Sequence, residues 1–282
     1  IVSARHSKNY PSQARRHNMT STAWSFGGTT LATYGIVTQI NDYLDMPESR
    51  GDNQVIPYRH GTIFAKKFYN ERKLSFGIAI SAASAAALET ALDTFRQKLS
   101  LRTQQTLSVT LENGTTRTAS ASVDGPLQVE RSGSKFARVV VDFTVPAAVF
   151  RLSTVITDNT TAVAASPQAM TVANPGSLEE RDPTIVIHGA FTVVTITNST
   201  TGAVLVYTGA ISTTETVTIS TAATGEFTAV LSTGSANVIG NVTHSGESCL
   251  MNFIPGNNTL AITSTGRDAN STVKCSFFAP FM

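Results

Sequence analysis

The chain has 282 residues, of which 41% are hydrophobic and 14% charged, with a formal net charge of +2. That length holds two domains of ordinary size, each with its own core, and the low charge leaves Thr, Ser and Asn to fill much of the surface, a composition suited to extended chain and turns. No run approaches ~18 strongly apolar residues, the opening Ile1-Val2-Ser3-Ala4-Arg5-His6 has no apolar core, and two cysteines make no disulfide framework, so neither a membrane span, a secretory leader nor a cystine-stapled module is expected.

Charge is unevenly spread. Residues 1–151 carry 18 Lys and Arg against 11 Asp and Glu, and residues 152–282 carry 3 against 8. A basic half suits nucleic acid or acidic partners; the plainer reading is a solvated surface with local ion pairs. Residues 1–18 hold Arg5, Lys8, Arg15 and Arg16 and no acid. They read as a basic extension, either tag-like or an arm that orders on a neighbour, and Met19 reads as the start of a fresh domain. Trp24 to Gly28 predicts a strand running into a tight turn, and Leu31 to Ile40 a second extended piece. From Asn41 to Gly61 the residues become polar and turn-forming, among them Asp45, Pro47, Arg50, Pro57, Arg59 and Gly61. A segment that long predicts a projecting hairpin or arm. Lys73 to Ile80 alternates, with Leu74, Phe76, Ile78 and Ile80 on one face. The helix that follows can be capped by Ser81 or Ser84. It carries Leu88, Leu92, Phe95 and Leu99 on one stripe, with Lys98 and Arg102 near its end. Leu107, Val109 and Leu111 alternate into Asn113-Gly114, a hairpin signal. A two-residue loop would set Ala119, Ala121 and Val123 against Ser108 and Thr110, so a bulge or longer loop is expected. Phe136 to Val145 is the strongest strand of this half, and Pro146 ends it.

Residues 152–182 read as a low-complexity crossing rich in Thr, Ala and Pro, with the domain boundary at its start. Strands are then expected at 184–188, 191–197, 203–208, 215–220, 226–231, 236–242, 248–254, 259–264 and 272–278, the spacing of a sandwich or jelly roll. If residues 248–278 form a three-strand meander, Cys249 and Cys275 flank its middle strand about 9–10 Å apart, too far to bridge. Two reduced core thiols and assembly inside a cell follow. The expected fold class is mainly β: strands with one flanking helix, then an all-β sandwich.

Motifs for chemistry are missing. His6, His17, His60, His188 and His244 show no His-x-x-x-His spacing and sit near no carboxylate pair. The sequence has no Gly-x-x-x-x-Gly-Lys-Ser/Thr, Gly-x-Gly-x-x-Gly or Gly-x-Ser-x-Gly. Glu179, Glu180 and Asp182 form the one acidic cluster of the second half and read as a solvated loop before Pro183. Phe191, Phe227 and Phe253 lie within apolar alternation and read as core rather than as a sugar platform. No cofactor, metal or catalytic residue is expected.

In order and spacing the chain resembles the distal tail proteins of long-tailed (siphovirus) bacteriophages. The likeness runs over about residues 20 to 280. It rests on Phe26-Gly27, Pro57-x-Arg59-x-Gly61, Leu74-x-Phe76-x-Ile78, the helix with Leu88-Glu-Thr-Ala-Leu92-Asp, and Phe136-Ala137 leading to Val141-Asp-Phe143 and Pro146. It continues through Asn174-Pro175-Gly176, Pro183-Thr-Ile185-x-Ile187-x-Gly189, Ile196-Thr-Asn-x-Thr-Thr201-Gly202 and Pro255-Gly256-Asn257. The resemblance implies a tail-tube-like β-barrel or sandwich over residues 19–151 and a galectin-like sandwich over residues 152–282. It further implies a homo-hexameric ring whose arm, about residues 41–61, laps onto the next subunit. The ring would join the tail tube protein to the tail-tip hub protein, and receptor-binding or side-fibre proteins would dock on the outer sandwich. The location implied is the virion, after assembly in the host cytoplasm, with no membrane partner. DNA would pass through the ring. Because a channel that lets DNA slide should not grip phosphates, Lys66, Lys67, Arg72 and Lys73 are expected to serve subunit contacts. Two other readings compete: a carbohydrate-binding β-sandwich module for attachment to a host surface, and a glycan hydrolase.

Overall fold

The structure is a computed structural model that describes residues 23–282 apart from 42, 44, 56–59, 61, 65, 66, 101, 102, 223, 224 and 246–249. The chain opens with β1 (Ala23–Phe26) and β2 (Thr29–Thr30), joined by a tight turn in which Gly27 and Gly28 take φ values of 54° and 79°, open to glycine. β3 (Ile36–Asn41) follows. The next segment is a hairpin: β4 (Ser49–Arg50) and β5 (Gln54–Val55) run out, and β6 (Thr62–Ile63) and β7 (Phe68–Tyr69) return, with β4 paired to β7 and β5 to β6. It thus spans residues 49–69, and its return limb lies beyond the polar stretch that marks it in the sequence.

β8 (Arg72–Ser81) buries Leu74, Phe76, Ile78 and Ile80, as its alternation requires. α1 (Ala85–Leu99) is capped by Ser84, whose Oγ accepts from the Ala87 amide at 3.2 Å. Its buried stripe is Leu88, Leu92, Phe95 and Leu99, and Lys98 Nζ donates to the Gly27 carbonyl at 2.7 Å, fastening the helix end to the β1–β2 turn. β9 (Gln105–Thr110) turns into β10 (Thr116–Arg131) through a three-residue loop. Leu111 N donates to Thr115 O and Gly114 N to Leu111 O, both at 2.9 Å, with Gly114 at φ 79°. The longer loop sets Ala119 opposite Leu107, so both faces of the hairpin agree with the pleat. β10 is the corner of this half. Its residues 116–121 pair with β9 and residues 122–131 with β11 (Phe136–Val145), with a register shift between Asp124 and Gln128 where Gly125-Pro126 interrupts the ladder. The strand order β2-β1-β9-β10-β11-β8-β3 therefore curls around a core of Trp24, Phe26, Phe76, Phe95, Phe143 and Phe150.

A second core lies between two five-stranded sheets. β12 (Phe150–Leu152) still belongs to the first sheet, paired to β10, and β13 (Ile156–Ala162) and β14 (Gln168–Asn174) occupy what the sequence presents as a crossing. Met170, Val172 and Asn174 point inward from β14; Thr and Ala at the outward positions weaken the alternation that would have marked it. β15 (Thr184–His188), β16 (Phe191–Asn198), β17 (Val204–Ile211), β18 (Thr216–Thr221) and β19 (Phe227–Leu231) match the expected spacing. The strand expected at 236–242 is instead a 3-10 turn over Ile239–Asn241 followed by β20 (Val242–His244). Residues 250–254 of the strand expected at 248–254 form no ladder, only a bridge from Phe253 to Glu180. β21 (Gly256–Thr265), β22 (Thr272–Phe277) and β23 (Pro280–Phe281) complete the chain. One sheet has the order β13-β22-β15-β18-β19 and the other β14-β21-β16-β17-β20. β21 and β22 thus belong to opposite sheets, and the expected meander does not form; the inward faces of both strands are apolar and each sheet takes one. Cys275 is a free, fully buried thiol on β22, and burial pushes its pKa up to about 12. Cys249 lies outside the described residues.

Candidate functional site

The hairpin at residues 49–69 and its root form the most unusual surface of the chain. Asn70 N donates to Glu48 O at 2.7 Å, closing the root, and the rungs Ser49–Tyr69 and Arg50–Phe68 follow. Large apolar side chains stand in water along it: Phe64 is 76% exposed, and Met46, Phe68 and Tyr69 are also exposed. Phe64, Phe68 and Tyr69 thus place three aromatic side chains in solvent on one element. At the root a cavity of about 700 Å³ is lined by Asp45, Pro47, Arg50, Glu71 and Lys73 among others.

The residues singled out from the sequence divide. Asp45, Pro47 and Arg50 are brought together around that cavity. Pro57, Arg59, Gly61 and Lys66 lie outside the described residues. Lys67 is exposed on the return limb. Lys73 is exposed and ion-paired within its own chain, 3.4 Å from Asp124 and 3.7 Å from Glu71. Its Asp124 neighbour holds the Lys73 pKa above its usual value, while the Thr144 hydroxyl and then Lys73 hold the Asp124 carboxyl below its own. Arg72 corrects the expectation of a subunit contact. It is 3% exposed, and its Nη2 donates to the backbone carbonyls of Tyr43, at 2.8 Å, and Asp45. An inward side chain at the first position of β8 has this fate because Leu74 and Phe76 set the buried parity of the strand.

A second cluster joins the two cores. β12 pairs on one side with β10 and on the other with β23, through Phe150–Phe281 and Arg151–Pro280. The Arg117 guanidinium lies 3.8 Å from the Phe281 ring centroid. Gly176 sits so close to the Pro280 carbonyl that a Cβ there would come within 2.3 Å of it. Glu180, expected in a solvated loop, is fully buried here: Arg151 Nη1 donates to its Oε2, and Oε1 accepts from the Asp182 amide at 2.7 Å. Burial pushes its carboxyl pKa up, against the opposing pull of Arg151. Three acidic residues in four positions hide this outcome in the sequence; the hint is Arg151, 29 residues away. Among the described residues no group of three or more His, Cys, Asp and Glu could hold a metal ion, and no helix is long and apolar enough to cross a membrane.

No protein-family model matches the sequence, and no curated protein matches it. Solved structures do. The SPP1 Dit (gp 19.1) protein, described as a paradigm of the hub adsorption apparatus in phages that infect Gram-positive hosts, aligns at a TM-score of 0.66 with 16% identity, over 93% of this chain and 99% of that one. The chain has the fold of a phage distal tail protein. Weaker likenesses are to the phage P2 baseplate in its activated conformation, with Ca (TM-score 0.41, 10% identity, 90% of this chain and 97% of that one) and with Sr (TM-score 0.40, 11% identity, 93% and 99%).

Proposed function

We propose that the chain is a structural virion subunit at the distal end of a phage tail. Six copies close a ring that joins the tail tube protein to the tail-tip hub protein and surrounds the channel through which DNA leaves without specific binding. Residues 19–151 form the ring domain, related to tail-tube subunits. Residues 152–282 form an outer galectin-like sandwich that offers a face to receptor-binding or side-fibre proteins. The observation that carries this reading is the exposed aromatic arm in a chain of this fold. A heterologous contact repeated about an axis closes a ring, and an arm enlarges each contact. Covering Phe64 and Phe68 on a neighbour would contribute about 2 kcal/mol per ring. Asp45, Pro47, Arg50, Pro57, Arg59 and Gly61 serve the inter-subunit contact of the arm, and Lys66, Lys67 and Lys73 join them.

Mass photometry of the purified chain tests this. A six-chain species that forms with rising concentration, and that Phe64→Ser with Phe68→Ser shifts to monomer, is the expected result. A chain that stays monomeric alone and beside candidate tail proteins, and that binds glycans in that state, would overturn it in favour of a free-standing attachment module.

A further inference from the structure

We propose that Arg72 is the positioning residue that aims the arm, and so sets the concentration at which copies assemble; the inference rests on the arm-to-neighbour contact proposed above. The two limbs of the arm leave neighbouring strands, β3 and β8, whose last rung is Asn41–Ser75. The outgoing limb departs after β3 ends at Asn41, and the return limb re-enters at β8. Arg72 is the first residue of β8, paired in the ladder with Val145, so its backbone belongs to the rigid sheet. Its side chain reaches across to the other limb. One nitrogen, Nη2, donates to two carbonyls two residues apart, Tyr43 O at 2.8 Å and Asp45 O. The guanidinium also lies 5.8 Å from the Tyr43 ring centroid. That ring in turn packs edge-on against Trp24 at 4.9 Å and Phe150 at 5.6 Å, both in the core. The first rung of the arm, Glu48 O to Asn70 N, closes immediately beyond this point.

Tyr43 and Asp45 of the outgoing limb are therefore held by a cation, planar and always charged, which is itself held by the sheet. Charge-assisted hydrogen bonds to backbone carbonyls are the strong class, and removing the donor would leave a buried carbonyl without one. Among the described residues the arm's rungs are two short pairs, a narrow ladder with which to fix its own direction. The direction in which Phe64 and Phe68 are presented is then a property of the root.

The test compares Arg72→Met and Arg72→Lys with the wild-type chain by amide hydrogen exchange and by mass photometry. For Arg72→Met the expected result is about tenfold faster exchange at Arg50, Phe68 and Asn70, with the amides of 74–80 within about twofold of wild type. Assembly should also need about tenfold more protein. Arg72→Lys keeps the charge but shortens the reach, and should fall between the two. Should the Met variant fail to fold, the Lys variant decides. The proposal is overturned by an arm that exchanges as in wild type, or by a faster-exchanging arm with unchanged assembly. A wild-type chain that never oligomerises sinks the ring reading instead, and the exchange data alone then judge the anchor.

Discussion

Glu180 shows what a single residue gains and loses on folding. Its backbone exchanges two hydrogen bonds with Phe253, at 2.9 and 2.8 Å, and its carboxyl follows the chain into the interior, where Arg151 meets it. A buried carboxylate costs free energy unless it is paired, and here the cost of desolvation exceeds the pull of the cation, so the folded pKa lies above the ordinary 4.5. The folded state then holds a proton that the unfolded state has lost. This group's contribution to stability is greatest below about pH 4.5 and declines as pH rises through the folded pKa. Glu180→Gln removes that dependence. The melting temperature of the variant minus that of the wild type should rise between about pH 4 and about pH 7; a flat or falling difference in a thermal scan would contradict the assignment. The same logic makes Cys275 inert, since a thiol whose pKa lies near 12 carries almost no thiolate at neutral pH.

Among the elements, the helix and the long strands follow from local spacing, whereas the segment 250–255 does not. It packs Leu250, Met251 and Phe253 inward without alternation, so it has no ladder to satisfy its backbone. Three buried asparagines replace the ladder. Asn174 donates to Phe253 O at 2.9 Å and Asn198 to Asn252 O at 2.7 Å, while Asn258 accepts from Ile254 N at 3.1 Å and donates to Ile254 O at 2.8 Å. These are the asparagines of Asn174-Pro175-Gly176, of the turn after Ile196, and of the Pro255-Gly256-Asn257-Asn258 run. Asn258→Ala should therefore cost about 2 kcal/mol by leaving buried groups unpaired. Asn257→Ala, one residue away and exposed, should stay within about 0.5 kcal/mol. Urea unfolding of the two variants side by side measures the contrast, and equal costs would refute the role given to Asn258.

At the scale of the whole molecule, the two cores are stitched where β12 carries a strand on each edge. Leu152 N donates to Ala279 O at 3.0 Å, Met282 N donates to Ser177 Oγ at 2.9 Å, and Arg117 stacks on Phe281. Residues more than a hundred positions apart thus share one sheet, and loss of either core strains the other. Phe281→Ala removes the stacked ring and should weaken the coupling by about 1 kcal/mol. Calorimetry would register it as a broadening or splitting of the unfolding transition, with the wild type the more cooperative of the two; an identical transition would show that the junction transmits nothing.

Apolar spacing along the chain carries the mainly β class, the helix with Leu88, Leu92, Phe95 and Leu99 on one stripe, the strand at Phe136–Val145 and the need for a bulge or longer loop at Asn113-Gly114. Each of these depends on the period of apolar side chains within a dozen residues, a quantity the chain carries locally. That Arg72 turns inward onto the Tyr43 and Asp45 carbonyls, that Glu180 is buried, and that β21 and β22 part to opposite sheets emerges only in the folded chain. Whether a charge is solvated or a strand joins one sheet or another depends on neighbours tens of residues away, and no local pattern encodes which of them will arrive.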